Sequence, residues 1–261
     1  MTQTKEVVRH VVGERPQSVE DELAVEEPLE IQIDTRAVSV TMRTPGHDDE
    51  LAAGFLVTEG IITSPKDIIK IARHPRNKAN VINVFLRNAA DLERLKRHVF
   101  VSSSCGLCGK ASIENVHQHF KPVTARLRIS ADVLLTLPEK LRRAQAAFAR
   151  SGGLHAAGIF SRTGELIVVR EDVGRHNAVD KVIGHGFLRG LLPLKEHVLM
   201  VSGRASFEIM QKALAARIPI VAAVSAPSSL AVDFAIESGQ TLVGFLRDQR
   251  MNLYAGGHRI K

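Results

Sequence analysis

Apolar and polar positions alternate through Glu30-Ile31-Gln32-Ile33 and again through Val38-Ser39-Val40-Thr41-Met42, the period of half-buried strands. From Asp48 to Glu59 the period changes. Leu51, Phe55 and Leu56 recur at helical spacing, Asp48, Asp49 and Glu50 crowd the first turn, and Gly60 supplies a stop. Strands are predicted at 68–72 and 81–86. They are followed by Ser102-Ser103-Ser104-Cys105-Gly106-Leu107-Cys108-Gly109-Lys110, a loop by composition. In the second half, Ser130 can cap a helical region reaching Arg150, with a break expected at Pro138. Two strands, 154–160 and 165–170, meet at a Thr163-Gly164 turn. A helix after Gly174, a strand at 198–201, a helix at 206–216, a strand at 220–224, a helix at 228–237 and a strand at 242–246 complete the chain. That alternation implies crossover units and a mostly parallel sheet. The pattern predicts a smaller α+β domain over residues 1–122, ending in the cysteine loop, and an α/β domain over 123–261.

The 261 residues suffice for one large domain or two modest ones, and 44% hydrophobic with 24% charged residues is a globular balance. No apolar run approaches the roughly 20 residues of a membrane span, and the first residues lack a secretory pattern. The expectation is a cytoplasmic protein with reduced thiols. The net charge of +7 attracts anions such as nucleic acid, acidic lipid or a phosphorylated small molecule. Without a long Lys/Arg run or aromatics interleaved with basic residues, nucleic acid and membrane are not expected as partners.

The only two cysteines, Cys105 and Cys108, form one Cys-x-x-Cys pair. Lys110 follows at once, and residues 111–120 can form a short helix; a nearby cation and a helix N-terminus both favour thiolate. An exposed Ser/Gly loop suits a thiol that must reach a donor and then an acceptor, so a sulfur-carrying pair is the leading reading. Alternatives stay open. Zinc takes about four ligands and the pair supplies two, although 11 histidines could contribute. A thioredoxin-like dithiol would need a strand pattern that is not apparent. Two inert surface thiols would be an oxidation liability.

A second constellation lies at three predicted strand-to-helix junctions: 172–177 with Arg175 and His176, Ser202-Gly203-Arg204, and 225–229. Helix N-termini offer free N–H groups to phosphate, and in parallel sheets such junctions gather at the carboxyl ends of the strands. The competing account is plain capping by Ser206 and Ser228. His155 opens a strand of small residues. A zinc deaminase would need Glu two residues on, where Ala157 stands, and a later cysteine pair. His47, Asp48, Asp49 and Glu50 resemble a metal cluster, but their position at a helix start fits capping better.

On these residues the chain resembles the FdhD family, the sulfur carriers needed for active formate dehydrogenase. The likeness is carried by residues 43–56 (Arg43-Thr44-Pro45-Gly46-His47-Asp48-Asp49-Glu50 onward), 104–109, 153–157, Arg170-Glu171-Asp172-Val173-Gly174-Arg175-His176-Asn177-Ala178-Val179-Asp180-Lys181, and 202–204. The resemblance implies a C-terminal cytidine-deaminase-like α/β/α sandwich with a mixed, mostly parallel sheet, and a homodimer. It implies a sulfurtransferase that takes sulfur from a cysteine desulfurase as a persulfide on Cys105, with Cys108 as second thiol. The acceptor it implies is the bis-(molybdopterin guanine dinucleotide) molybdenum cofactor, bound as substrate before insertion into formate dehydrogenase, with no resident metal. The family's cofactor-binding segment falls on Phe245, Leu246, Arg247, Asp248, Gln249 and Arg250. His155, Arg175, His176, Ser202, Gly203 and Arg204 complete the expected pocket.

Overall fold

The computed structural model describes residues 1–73, 80–88 and 120–261. Cys105, Cys108, Lys110 and residues 111–119 of the helix expected at 111–120 lie outside the described residues.

Strands β1 (Thr2–Arg9) and β2 (Gln17–Ala24) pair with each other as an antiparallel ribbon. Most of its side chains are exposed, so no half-buried alternation marked it in the sequence. A four-stranded sheet follows in the order β4-β3-β6-β5, built from β3 (Glu27–Ile33), β4 (Arg36–Arg43), β5 (Ile68–Arg73) and β6 (Val81–Leu86). Leu29, Ile31 and Ile33 of β3 and Ile82 and Val84 of β6 share its buried face, as the alternation requires.

The larger sheet runs β12-β11-β10-β9-β7-β8. Its strands are β7 (His155–Ser161), β8 (Leu166–Asp172), β9 (His197–Val201), β10 (Ile220–Ala223), β11 (Thr241–Arg247) and β12 (Arg250–Ala255). The pairings make β8, β9, β10 and β11 point one way and β7 and β12 the other. The sheet is therefore mixed, with four of its six strands co-directional.

Helices cover both faces. On one, α2 (Ala131–Ala144) lays Leu134, Leu137 and Leu141 over Ala156, Phe160, Val198, Met200 and Val243. On the other lie α4 (Arg175–Leu188), α5 (Phe207–Ala215) and α6 (Ser229–Glu237). Alternate residues of β9 and β10, Leu199, Val201, Val221 and Ala223, point to that side. The same core takes in α1 (Asp48–Thr58) and the inner face of the four-stranded sheet. Pro138 does not break α2. The apolar stripe continues through it, and the interruption falls at Gln145, before the short α3 (Ala146–Ser151).

Helices α1 and α4 cross backbone against backbone. A Cβ at Gly54 would lie 1.8 Å from the Asp180 carbonyl oxygen, and one at Gly184 would lie 1.8 Å from that of Glu50. Only glycine leaves room for this approach. Beside the crossing, Lys212 of α5 is buried with its ammonium 2.9 Å from Asp180 and 3.0 Å from the Thr58 hydroxyl, and that hydroxyl donates to Asp180 at 2.8 Å. Burial opposes the Lys212 charge, but Asp180 and Glu59 outweigh it and hold the ammonium protonated. Among the described residues, no helix is long and apolar enough to cross a membrane.

Candidate functional site

The three junctions meet at one edge of the larger sheet, beyond the carboxyl ends of β8, β9 and β10. Because β7 runs antiparallel to β9, its first residue, His155, arrives at the same edge. A Cβ at Gly203 would stand 3.3 Å from His155 Nδ1 and 4.0 Å from the Arg175 side chain, so this glycine holds open the space between them.

Hydrogen bonds join the junctions into a rim. His176 Nε2 lies 3.1 Å from the Ser206 hydroxyl and 2.9 Å from a Glu208 carboxylate oxygen, linking the first junction to the second. The Ala205 N–H donates to the Ala226 carbonyl and the Ser228 N–H to the Ala205 carbonyl, linking the second to the third. The Phe245 N–H donates to the Ser225 carbonyl at 3.1 Å and brings in the end of β11. The capping reading holds for Ser228, whose hydroxyl accepts from the Ala231 N–H at 3.2 Å. It does not hold for Ser206, which makes no side-chain cap and turns its hydroxyl to His176.

The rim is cationic. Arg204 is exposed, while Arg175 carries a buried Nε that finds no partner among the described residues. An unmet buried donor is unusual, and an anion would satisfy it. Burial lowers the His155 pKa, and the charges of Arg175, His176 and Arg204 push it the same way, outweighing Asp172; its ring is neutral at pH 7. Glu208 is held below the usual carboxylate value, first by the His176 hydrogen bond. The Ser202 hydroxyl is committed to the backbone, accepting from the Ala156 N–H at 2.9 Å.

The segment 245–250 divides. Phe245 has φ +50°, a left-handed conformation rare for a bulky side chain and therefore strained. Asp248 and Gln249 are also left-handed, as the tight turn into β12 demands. The exposed Arg247 guanidinium lies 5.8 Å from the Phe245 ring centroid, and Arg250 is exposed across the turn. Leu246 does not join them; its side chain is fully buried in the α2 core. The sequence carries little signal for β12, in which Leu253 is exposed and only Ala255 is buried, so apolar position and burial do not alternate together.

Much of the 170–181 block holds the edge together rather than facing outward. Lys181, fully buried, places its ammonium 2.6 Å from Asp172 and 2.8 Å from the Thr44 carbonyl. Asp172 also accepts from the backbone of Thr44 and Gly174 and from Asn177, whose amide reaches the Met42 carbonyl. Glu171 accepts from the Ala147 and Phe148 N–H groups at the start of α3. Sequence reasoning singled out this block without separating these supporting roles, and it missed Glu208 altogether.

The acidic start of α1 is likewise engaged. Asp48 binds Arg43 at 3.0 Å and Arg73 at 3.2 Å, and Glu50 binds Arg170 at 2.5 Å and His185 at 2.8 Å. The cap residue, His47, makes no side-chain cap bond. Capping by a side chain is thus corrected to ion pairing with basic residues from other elements of the same chain. Among the described residues no group of three or more His, Cys, Asp or Glu is arranged to hold a metal ion.

The FdhD/NarQ family model matches residues 24–261. The chain is 49% identical to the sulfur carrier protein FdhD of Streptomyces avermitilis over 100% of its own length and 96% of that protein's. It is 49% identical to the sulfur carrier protein FdhD of Mycobacterium tuberculosis, covering 97% of this chain and 96% of the other. The crystal structure described as a formate dehydrogenase accessory protein from Desulfotalea psychrophila superimposes with a TM-score of 0.80 at 26% identity, covering 100% of this chain and 99% of that one.

Proposed function

Since the chain belongs to the FdhD/NarQ family, we propose that it is a sulfur carrier serving formate dehydrogenase, and that Cys105 holds the sulfur in transit. In this reading the Cys105 thiolate attacks the outer sulfur of a persulfide on a cysteine desulfurase. The donor S–S bond breaks, the donor cysteine leaves as thiolate, and Cys105 becomes the persulfide. Cys108, at the spacing of a resolving thiol, can attack Cys105, release hydrosulfide and leave the pair as a disulfide. The substrate that receives the sulfur is the bis-(molybdopterin guanine dinucleotide) molybdenum cofactor, before its insertion into formate dehydrogenase, and the working unit is a cytoplasmic homodimer.

The observation that carries the acceptor half of this proposal is the cationic rim. Three strand-to-helix junctions, an Arg175 donor unmet among the described residues and the Phe245–Arg247 pair share one edge, with Gly203 keeping a gap between His155 and Arg175. Backbone N–H groups and guanidinium forks suit pyrophosphate oxygens, and an aromatic ring with a neighbouring guanidinium suits a purine face.

The carrier half is tested by incubating the protein with a cysteine desulfurase and cysteine, then weighing it intact. One added sulfur atom is expected, and it should disappear with Cys105→Ala; sulfur loading and formate dehydrogenase maturation that survive that substitution would refute the assignment.

A further inference from the structure

Glu208 is the one carboxylate hydrogen-bonded into the described rim by a pocket histidine, and a bare carboxylate beside an anion pocket should repel its ligand. Its geometry gives it a different part. His176 opens α4 and Glu208 lies in the first turn of α5, so the two helix starts face each other across the junction. Both the Glu208 carboxylate, at 2.9 Å, and the Ser206 hydroxyl, at 3.1 Å, engage the same ring atom, Nε2. Two contacts on one nitrogen fix the plane of the imidazole, and the carboxylate engages a hydrogen on Nε2. One turn further along α5, Lys212 anchors the helix to Asp180 and Thr58 in the core, so Glu208 stands on a fixed support.

We propose that Glu208 is a positioning residue for the anion pocket: it acts through His176, orienting the ring that meets the diphosphate of the bound nucleotide. The proposal rests on the anion-pocket reading and goes beyond it in naming a residue whose charge alone would argue the opposite effect. The carboxylate is held below its ordinary value, with the His176 hydrogen bond as the leading cause.

The sign of a substitution separates the two accounts. If Glu208 only contributes negative charge, Glu208→Gln and Glu208→Ala tighten binding of guanosine diphosphate. If it positions His176, both weaken it, Glu208→Ala by roughly five- to tenfold, less than the loss of a direct charge-assisted contact because the effect passes through His176, and Glu208→Gln by less again because its amide oxygen can still accept. Titration calorimetry with guanosine diphosphate on the full chain reads this directly. The double variant Glu208→Ala/His176→Ala should bind no more weakly than His176→Ala alone, because residues acting as a unit are not additive. In nitrogen-edited NMR of the ligand-free protein, the hydrogen-bonded Nε2–H signal of His176 should be present and lost in Glu208→Ala. Tighter binding in either Glu208 variant, full additivity with His176→Ala, or an Nε2–H signal indifferent to Glu208 overturns the proposal. Failure of the unaltered protein to bind guanosine diphosphate would remove the pocket reading as well, and the ligand-free NMR result tells that failure from the loss of the Glu208–His176 pair alone.

Discussion

Replacing Lys181 by methionine leaves the shape of the interior nearly unchanged and removes its charge. In the native chain the ammonium sits at 0% exposure, 2.6 Å from Asp172 and 2.8 Å from the Thr44 carbonyl. Asp172 is equally buried. Without the lysine it keeps its neutral donors, the N–H groups of Thr44 and Gly174 and the Asn177 amide, but no opposite charge. Stranding one member of a buried ion pair costs about 3–5 kcal/mol, against total stabilities of about 5–15 kcal/mol for a folded domain. The protein has no tryptophan, so urea unfolding should be followed by far-ultraviolet circular dichroism. The midpoint should fall sharply with little change in slope. The double variant Asp172→Asn/Lys181→Met, with no uncompensated charge inside, should recover part of the loss. A single variant within about 1 kcal/mol of the native protein, or a double variant no better than the single one, refutes the reasoning.

Gly54→Ala places a methyl group 1.8 Å from a carbonyl oxygen of α4, so a cost of about 3 kcal/mol or more is expected; an unchanged melting temperature would contradict the described crossing. Burial and neighbouring cations lower the His155 pKa below 6.5, so the unfolded chain takes up a proton first as pH falls, and stability declines below about pH 6.5 while this group contributes no slope above it. His47 and His197 shift in the same direction; comparing urea midpoints at several pH values for native and His155→Asn protein should show a shallower acid slope in the variant. Phe245→Gly relieves a left-handed backbone that costs about 1–3 kcal/mol while losing the ring's packing. Its stability should stay within about 1 kcal/mol of native while guanosine diphosphate binding weakens, and unaltered binding would take Phe245 out of the pocket.

The fold was most legible where one side of an element meets the core and the other meets water. β3, β4 and α1 announce themselves by period, α2 by its Ser130 cap, and β7 through β11 by short apolar runs between glycine and serine turns. The ribbon of β1 and β2 gave no such signal, because neither of its faces is buried enough to demand apolar residues. Pro138 misled because a local rule was read without the stripe of Leu134, Leu137 and Leu141 that carries α2 past it. At the site, junction chemistry anticipated that Arg175, His176 and Gly203 would gather at one edge of the sheet, as they do. The roles of Lys181, Asp172 and Glu208 were not readable, since each depends on a partner distant in sequence: Thr44 lies 137 residues before Lys181, and His176 lies on a different helix from Glu208.

The seam between α1 and α4 also governs how the polypeptide tolerates being divided. Ala178, Val179, Val182 and Ile183 are sealed within the core that α1 shares, and no water layer separates the two backbones at Gly54 and Gly184. Produced alone, the stretch 120–261 would carry an open, greasy furrow where α1 belongs, and it should stick to itself. Supplied in trans, the missing front piece should fill that furrow, and substituting either of the two glycines should prevent the reassembly.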